Sequence, residues 1–306
     1  MAAKKLLHTL LVLLTVGVFA LVDLRYGAAI AQCAEESADY EHDRYAPDET
    51  DIPRRFDAFV VSFDSKDDDD GDGEPDLRRI PEWVAQEIRR FEAECVNTRR
   101  RPSRWSTDRS LFVSGVAPND ASYSGSGFDR GHMAAKLLAA RISLDADRKT
   151  HTVLNAVPQF RRFNQQIWRD LEDHTGAWAQ AFGKIWVVQG PVFYDETKSE
   201  NARWIGDVGK GERRVAVPDA LFKIVVREDE SVGGLQSLAF LYPQLGARYY
   251  GKKAQFAHER FLTTISEIEG LTGLSFSKLK SQRSFLANDL WEAANDDYIT
   301  GCTGSD

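Results

Sequence analysis

The sequence predicts an α+β fold, and three observations point to it. Of the 306 residues, 42% are hydrophobic and 11% are aromatic, which is enough for a packed core. Short runs rich in Val, Ile and Phe, typical of strands, are interspersed with segments whose apolar residues recur at helical spacing. The two kinds of segment alternate irregularly and show no internal repeat, which indicates a mixed α+β core.

Six segments have the composition of strands. The first, 56–63, is rich in Val and Phe, and the one at 150–159 is strand-like and leads into a Pro turn. The predicted strands are 56–63, 111–117, 150–159, 184–193, 213–227 and 235–243.

Four segments are predicted as helices. Residues 81–94 begin with Pro, which favours the first helical turn, and continue with apolar residues at helical spacing. Residues 164–182 form the longest predicted helix, with Ile167, Leu171 and Trp178 in one apolar stripe. Residues 133–141 and 265–276 are shorter, and the second is expected to end near Gly270 or Gly273.

The N-terminus has the pattern of a signal peptide. Lys4 and Lys5 precede an apolar run, and a small-x-small site predicts cleavage after Ala31. Residues 1–31 are therefore expected to be removed, which predicts a secreted or periplasmic protein with no membrane association after cleavage. The alternative is an uncleaved anchor, because the apolar run is about the minimum length for a membrane span.

Charge is distributed unevenly along the chain. The net charge is −8, yet residues 34–76 hold 17 acidic and 4 basic residues, whereas residues 77–172 hold 17 basic and 11 acidic residues. The negative net charge of the whole chain therefore does not exclude a basic segment that could bind a polyanion such as nucleic acid. Residues 32–51 are predicted to be a disordered acidic lead-in, and 52–306 the folded domain, with an acidic insertion at 64–76.

The insertion resembles a calcium loop. Alternating aspartates followed by a glycine are typical of such loops, but an EF-hand would place Glu where Arg79 stands. The alternative is a solvated acidic run that repels nucleic acid from the wrong face. The candidate Ca²⁺ ligands are Asp68, Asp70, Asp72 and Asp76.

Three cysteines, Cys33, Cys95 and Cys302, lack the close spacing of a metal site. In an oxidising compartment they predict one disulfide and one remaining thiol. Three pairings are open at this point.

The loop "SGSGFDRGHMAAK" (124–136) carries a candidate catalytic group. His132 is suited to act as a general base, because its ordinary pKa lies near neutrality. Arg130 is suited to contact phosphate oxygens in a two-pronged way, and Gly131 allows close approach of the backbone. Asp129 is expected to brace Arg130 or the loop. The alternative is a structural histidine in a surface turn.

Asn164, Trp168 and Glu172 are predicted to share one side of the helix over 164–182. Asn164 would bind a cation directly through its amide oxygen, and Glu172 would hold a water of its hydration shell. Mg²⁺ suits this set, because it prefers oxygen ligands and keeps several waters. The alternative is that Asn164 caps the helix and Glu172 is a solvated acid.

Basic and aromatic residues near these positions are candidates for binding a phosphate backbone. Trp105 and Tyr123 are expected to stack on bases. The predicted substrate-binding cations are Arg104, Arg161 and Arg169.

Two blocks of the chain resemble the DNA/RNA non-specific endonucleases, which have a ββα-metal fold. "GSGFDRGHMA" is similar to the central motif of that family, and "LNAVPQFRRFNQQIWRDLE" is similar to its second block. The similarity runs from about Ile52 to Phe276 and implies a mixed or antiparallel central sheet flanked by helices.

The resemblance also implies roles. His132 corresponds to the general base, Asn164 to the single direct Mg²⁺ ligand, Glu172 to the acid that orients a metal-bound water and Arg130 to the arginine near the phosphate. Asn155 corresponds to a structural position beside the site. Mn²⁺ is expected to substitute for Mg²⁺.

The implied partners are DNA and RNA, cleaved with little sequence preference, typically to 5′-phosphate ends. The sequence allows a homodimer without specifying the oligomeric state. The alternatives are a catalytically idle nucleic-acid-binding protein and a calcium-dependent surface protein on the same fold.

Overall fold

A computed structural model describes residues 39–65, 77–194, 203–232, 234–245 and 256–303. The chain divides into two compact units, Met1–Tyr40 and Glu41–Asp306, and every element named here lies in the second. The predicted signal peptide, Cys33 and the four aspartates of the predicted calcium loop lie outside the described residues. The expectations about them stay predictions.

The described elements are thirteen strands and five α-helices. The strands are β1 (Ile52–Arg55), β2 (Val60–Phe63), β3 (Pro81–Arg89), β4 (Cys95–Val96), β5 (Phe128–His132), β6 (Ala156–Phe160), β7 (Lys184–Val192), β8 (Arg203–Ile205), β9 (Val215–Val217), β10 (Ala220–Asp229), β11 (Gly234–Pro243), β12 (Leu262–Thr263) and β13 (Thr300–Gly301). The helices are α1 (Arg109–Val113), α2 (Lys136–Ala140), α3 (Leu144–Lys149), α4 (Arg169–Phe182) and α5 (Ile265–Thr272).

Seven strands form the central sheet in the order β1-β2-β3-β7-β10-β11-β12, and every neighbouring pair is antiparallel. Three small pairs lie outside it: β5 with β6, β8 with β9, and the parallel pair β4 with β13. The predicted α+β fold is confirmed, and of the two sheet types that the resemblance implies, mixed or antiparallel, the structure has the antiparallel one.

The predicted helix over 81–94 is wrong, because this segment contains the sheet strand β3. Trp83 and Ala85 point into one hydrophobic layer, and Val84 and Ile88 point into the layer on the opposite face. A strand covered on both faces has no alternation of polar and apolar residues, so its apolar residues are easily assigned to a helix.

The predicted strand over 111–117 is also wrong, because its first residues form the end of helix α1. The Asp108 carboxylate accepts hydrogen bonds from the backbone N–H groups of Ser110 and Leu111, which caps the start of this helix. Val113 is 72% exposed, so this apolar residue is not part of a buried strand.

Three predicted strands differ in their bounds. Of the segment 56–63, only the last four residues form a strand, β2. In 150–159, a 3₁₀ turn at Val153–Asn155 precedes β6, and Pro158 lies inside the strand rather than in a turn. The segment 213–227 contains two strands, β9 and β10, which are separated at Pro218. Proline lacks the N–H that continues a strand ladder, so it interrupts pairing there.

The predicted acidic lead-in is ordered where the structure describes it within the second unit. His42, Tyr45 and Ala46 are buried, and the Tyr45 hydroxyl donates a hydrogen bond to Glu228 on β10. The expectation of disorder is therefore wrong for residues 41–51. Although the segment is acidic overall, the rings of His42 and Tyr45 pack on the sheet. The ring centroids of Tyr45 and Trp186 lie 5.3 Å apart, edge to face.

A disulfide joins Cys95 to Cys302, with the two Cα atoms 4.9 Å apart. It links β4 to β13 near the C-terminus, and this bond selects one of the three pairings that the sequence left open.

No helix in the described ranges has the length and apolar character needed to cross a membrane.

Candidate active site

An antiparallel strand pair followed by a helix carries the predicted site residues. β5 pairs with β6 so that His132 lies opposite Ala156, and α4 follows after a π-helical turn over Phe163–Trp168. Gly131 lies under the buried side chain of Gln159, where an added Cβ would approach the Gln159 Cδ atom to 2.1 Å. Glycine is therefore required beside His132 by close packing.

One cleft of about 560 Å³ brings the principal candidates together. Its walls come from the end of β5, from α2, from the π-helical turn with α4, and from the loop after β4. The polar and charged residues that line it are Thr98, Arg101, His132, Lys136, Asn164, Gln165, Arg169, Glu172 and Asp173.

His132 is 6% exposed and reaches this cleft from a packed cluster of rings. Its ring centroid lies 4.4 Å from that of Trp105 and 4.9 Å from that of His151. Burial, together with the positive charges of Arg101 and Lys136 and with His151, holds the pKa of His132 well below its ordinary value. The imidazole is therefore neutral at pH 7, which is the form that accepts a proton.

Thr150 orients this imidazole. Its hydroxyl donates to the Asp147 carbonyl at 2.7 Å, and its oxygen lies 3.4 Å from His132 Nε2. Because the hydroxyl proton is used by Asp147, the oxygen is left to accept a long hydrogen bond from Nε2–H. Nδ1 is then the unprotonated nitrogen of His132.

Asp129 holds the amide of Asn164, which corrects the expected role of this acid. Asn164 Nδ2 donates to Asp129 Oδ2 at 3.0 Å, and Gln165 Nε2 donates to the same oxygen at 2.8 Å. Arg130 pairs with Asp120 instead. With its nitrogen bound to Asp129, Asn164 presents its amide oxygen as the atom that suits a cation.

The predicted shared side of Asn164, Trp168 and Glu172 is wrong for Trp168. Asn164 and Glu172 line the cleft, whereas Trp168 is fully buried and meets Tyr242 on the sheet at 6.0 Å. The π-helical turn has more residues per turn than an α-helix, so it rotates Trp168 toward the core. Single-turn π segments occur frequently at functional sites.

Glu172 is partly buried and faces a buried cation. Burial raises the pKa of Glu172 to about 7, against the opposing effect of the Lys223 charge. Burial likewise lowers the pKa of Lys223 to about 8. The Lys223 ammonium lies 4.6 Å from the ring centroid of Trp168, beneath the helix that carries Glu172.

Arg130 lines an adjacent cleft of about 330 Å³ rather than the cleft of His132. Its guanidinium pairs with Asp120 and lies 5.8 Å from the ring centroid of Trp105. Arg101 and Asn164 line both clefts, so the two spaces are neighbours.

The other predicted substrate contacts divide into two groups. Arg169 lines the cleft of His132, whereas Arg104 and Arg161 are exposed and are not among the residues that line either cleft. Trp105 and Tyr123 are 6% and 3% exposed, yet both line the second cleft beside Arg130, so their stacking on bases stays a prediction. Trp105 also packs against His132.

Asn155 is buried and connects Ala134, two residues after His132, to Thr150. Its Oδ1 accepts from the Ala134 N–H at 2.7 Å, and its Nδ2 donates to the carbonyls of Ala134 and Thr150, each at 3.0 Å. This is the structural position that the resemblance implies. These hydrogen bonds hold the end of β5, which carries His132, next to Thr150, the residue that orients the His132 ring.

Asn155→Ala is expected to lower the free energy of unfolding by about 1–3 kcal/mol, because it leaves buried backbone groups without partners. Urea unfolding would measure the change. The exposed Asn97→Ala is the matched control and should change stability by less than about 0.5 kcal/mol. Equal stabilities of the two variants would contradict this role of Asn155.

The cleft residues fit a hard divalent cation. Asn164 offers an amide oxygen, and Glu172 and Asp173 offer carboxylates at the same wall. A set made only of oxygen ligands suits Mg²⁺ and Mn²⁺ better than softer metals.

Sequence reasoning missed several residues that shape this site. Thr150, His151 and Asp173 carry no recognisable motif. Lys223 did carry a signal, because it is a single cation inside the apolar run "LFKIVV" (221–226). A lysine in a fully buried strand needs a nearby acid or ring to compensate its charge.

Comparison with known proteins identifies relatives of the chain. The family model described as DNA/RNA non-specific endonuclease matches residues 52–282. Mitochondrial endonuclease G of Homo sapiens is 30% identical over 194 residues, which cover 63% of this chain and 62% of that protein. The mitochondrial nuclease EXOG of Mus musculus is 27% identical over 225 residues, which cover 73% of this chain and 56% of that protein.

The chain therefore spans less than two thirds of the length of these two relatives. Among solved structures, that of the EndoG/EndoGI complex superimposes with a TM-score of 0.62 and 22% identity, over 80% of this chain and 93% of that chain. This likeness shows a shared fold.

Proposed function

The chain belongs to the DNA/RNA non-specific endonuclease family, and from that premise we propose that it hydrolyses phosphodiester bonds of DNA and RNA with little sequence preference. The observation that carries the proposal is the single cleft lined by His132, Asn164 and Glu172 together with the cations Arg101 and Arg169. Basic side chains attract the phosphate backbone, and the neutral histidine lies where a water could be activated.

His132 would act as the general base. Its Nδ1 would take a proton from the attacking water as the new bond to phosphorus forms, and the bond to the leaving oxygen would break. The Nε2–H bond to Thr150 keeps the ring in the orientation that this transfer needs. The low pKa of His132 keeps the base unprotonated at neutral pH.

Asn164 would hold Mg²⁺ or Mn²⁺ directly through Oδ1, and Glu172 would hold it through a water. The bound dication would stabilise the negative charge that develops on the phosphate and on the leaving oxygen. Asp129 would keep the Asn164 amide in place by accepting from its nitrogen. Arg130 and Arg101 would contact phosphates on the side of the second cleft.

A plasmid-nicking assay tests this function. We expect cutting of double-stranded DNA, single-stranded DNA and RNA in Mg²⁺ or Mn²⁺, and none in EDTA. Binding to nucleic acid without cutting in any of these metals would contradict the proposal and favour an idle binding protein. Binding and cutting that are both absent would favour a calcium-dependent surface protein.

Glu172 provides a prediction about pH. Because its pKa is raised to about 7, the acid is protonated below that pH and then attracts a dication poorly. The Mg²⁺ concentration for half-maximal cutting should therefore fall as the pH rises from about 6 to about 8, and Glu172→Gln should abolish most of this change. In the absence of Mg²⁺, the free energy of unfolding should fall as the pH rises from the ordinary pKa of 4.5 to about 7, because Glu172 must then ionise at its buried position.

Lys223→Met supplies the complementary variant. Removing the opposing cation should raise the pKa of Glu172 further and move the Mg²⁺ curve to higher pH. A Mg²⁺ requirement that is the same at every pH in the wild-type protein would contradict the assignment of Glu172.

We further propose export to the periplasm or the cell exterior. The signal-like residues 1–31 support it, and so does the disulfide between Cys95 and Cys302, because such bonds persist in oxidising compartments. Fractionation of cells that express the full chain, with mass spectrometry of the mature N-terminus, would test both export and cleavage after Ala31. A protein retained in the cytosol with its N-terminus intact would contradict this proposal.

A further inference from the structure

A second group of potential metal ligands lies outside the cleft. Asp170 and His174 are one helical turn apart on α4, and His258 approaches them from a 3₁₀ turn at His258–Phe261. None of the three lines the cleft of His132, which takes Arg169, Glu172 and Asp173 from other faces of the same helix. We propose that Asp170, His174 and His258 bind one Zn²⁺ ion.

The distances suit such an ion. Asp170 Oδ2 lies 3.1 Å from His258 Nε2 and 3.8 Å from His174 Nε2, and one ligand atom from each residue falls within 4.8 Å of the others. Ligand atoms on a tetrahedral Zn²⁺, bound at about 2.0–2.1 Å, are about 3.3 Å apart. The observed separations bracket this value, so only small side-chain movements are required.

The surroundings of both imidazoles favour binding through Nε2. Tyr242 Oη lies 2.6 Å from His258 Nδ1, and Tyr298 Oη lies 2.7 Å from His174 Nδ1. Without an ion, the His258 Nε2–H can donate to Asp170 Oδ2 at 3.1 Å. When Zn²⁺ replaces that proton, each tyrosine oxygen can accept an Nδ1–H bond, which leaves the Nε2 lone pair of that histidine for the ion. Histidines that bind metals commonly have their other ring nitrogen held in this way.

The chemistry of the ligands and their exposure select the ion. Two imidazoles and one carboxylate suit Zn²⁺, whereas Mg²⁺ prefers oxygen ligands only. The His258 side chain is 1% exposed, but those of His174 and Asp170 are 26% and 17% exposed, which leaves an entry path and room for a fourth ligand from solvent. The ion would tie α4 to the 3₁₀ turn before β12.

Zn²⁺ titration of the metal-free full-length protein tests the site. Calorimetry should show one equivalent of Zn²⁺ bound, and thermal melting should show a higher Tm with Zn²⁺ but not with the same concentration of Mg²⁺. Asp170→Asn and His174→Gln should each weaken Zn²⁺ binding at least about tenfold, since each removes a direct ligand. Both side chains are partly exposed, so these variants are better suited to the test than a change at buried His258.

Two further variants separate a metal site from a hydrogen-bonded cluster. Glu259→Gln removes an exposed acid beside His258, with the same change of charge as Asp170→Asn, and should leave Zn²⁺ binding unchanged. Tyr298→Phe keeps all three ligands but removes the support of His174, and should weaken binding about tenfold. Zn²⁺ bound equally by all these variants, or no Zn²⁺ bound by the wild-type protein, would overturn the proposal.

Discussion

His132→Ala should reduce nicking of plasmid DNA by about 10²–10⁴-fold, because it removes the group that we propose to accept the proton of the attacking water. Binding of DNA should be largely retained, since phosphate affinity depends on the surrounding cations rather than on a neutral imidazole. A single-turnover nicking assay and a gel-shift titration on the same preparation would measure the two effects separately.

The control must account for the loss of a buried ring. His42 is 3% exposed, against 6% for His132, and contacts the backbone of Asp57 and Glu87 far from the cleft residues in sequence. His42→Ala should therefore lower Tm while leaving cutting at low temperature nearly intact. Substantial cutting by His132→Ala would contradict its role, and so would an equal loss of cutting in both variants.

Added imidazole provides a second check on His132. The truncated side chain leaves a space beside Trp105 and Thr150, and free imidazole in that space could accept the proton. We expect partial recovery of cutting by His132→Ala with imidazole and no effect of imidazole on the wild-type protein. A variant inactive because of misfolding would not respond in this way.

Asn164→Ala should lower cutting by at least about 100-fold at a fixed Mg²⁺ concentration, because it removes the proposed direct oxygen ligand of the cation. Raising the Mg²⁺ concentration should recover part of the loss. Gln166→Ala is the matched control, since it removes an amide on the same π-helical turn from a residue outside both clefts. This control should cut at nearly the wild-type rate.

The partnership of Asn164 with Asp129 makes the prediction more specific. Asn164→Asp keeps an oxygen ligand but places a second carboxylate against Asp129, so it should cut poorly. Adding Asp129→Asn restores a donor opposite the new acid, and the double variant should cut better than Asn164→Asp alone. Equal rates for the single and double variants would contradict the proposed positioning of the amide by Asp129.

Much of the fold followed from local patterns. The strands at 184–193 and 235–243 and the helix ending at Gly273 were predicted close to their observed bounds, because their apolar spacing and terminal glycines are local signals. Residues 81–94 and 111–117 were misassigned for opposite reasons. The first is apolar on both faces because two layers cover it, and the second is short and depends on its Asp108 cap.

The candidate site shows the same division. His132, Asn164 and Glu172 were found from two motifs, and the structure places all three in one cleft. The partner of Asp129 was predicted incorrectly, since the acid holds Asn164 from 35 positions away in the chain. Lys223 was missed, because its relation to Glu172 exists only after β10 and α4 pack together.

By itself, the sequence determined the family, the α+β class and the candidate residues for the proposed phosphodiester hydrolysis, because composition, hydrophobic periodicity and short motifs are local features of the chain. The tertiary structure alone decided the Cys95–Cys302 bond, the contact of Thr150 with His132 and the cluster of Asp170, His174 and His258. Those features join residues that are distant in the chain or lie on different elements. Their energies depend on distances through space, which no local pattern records.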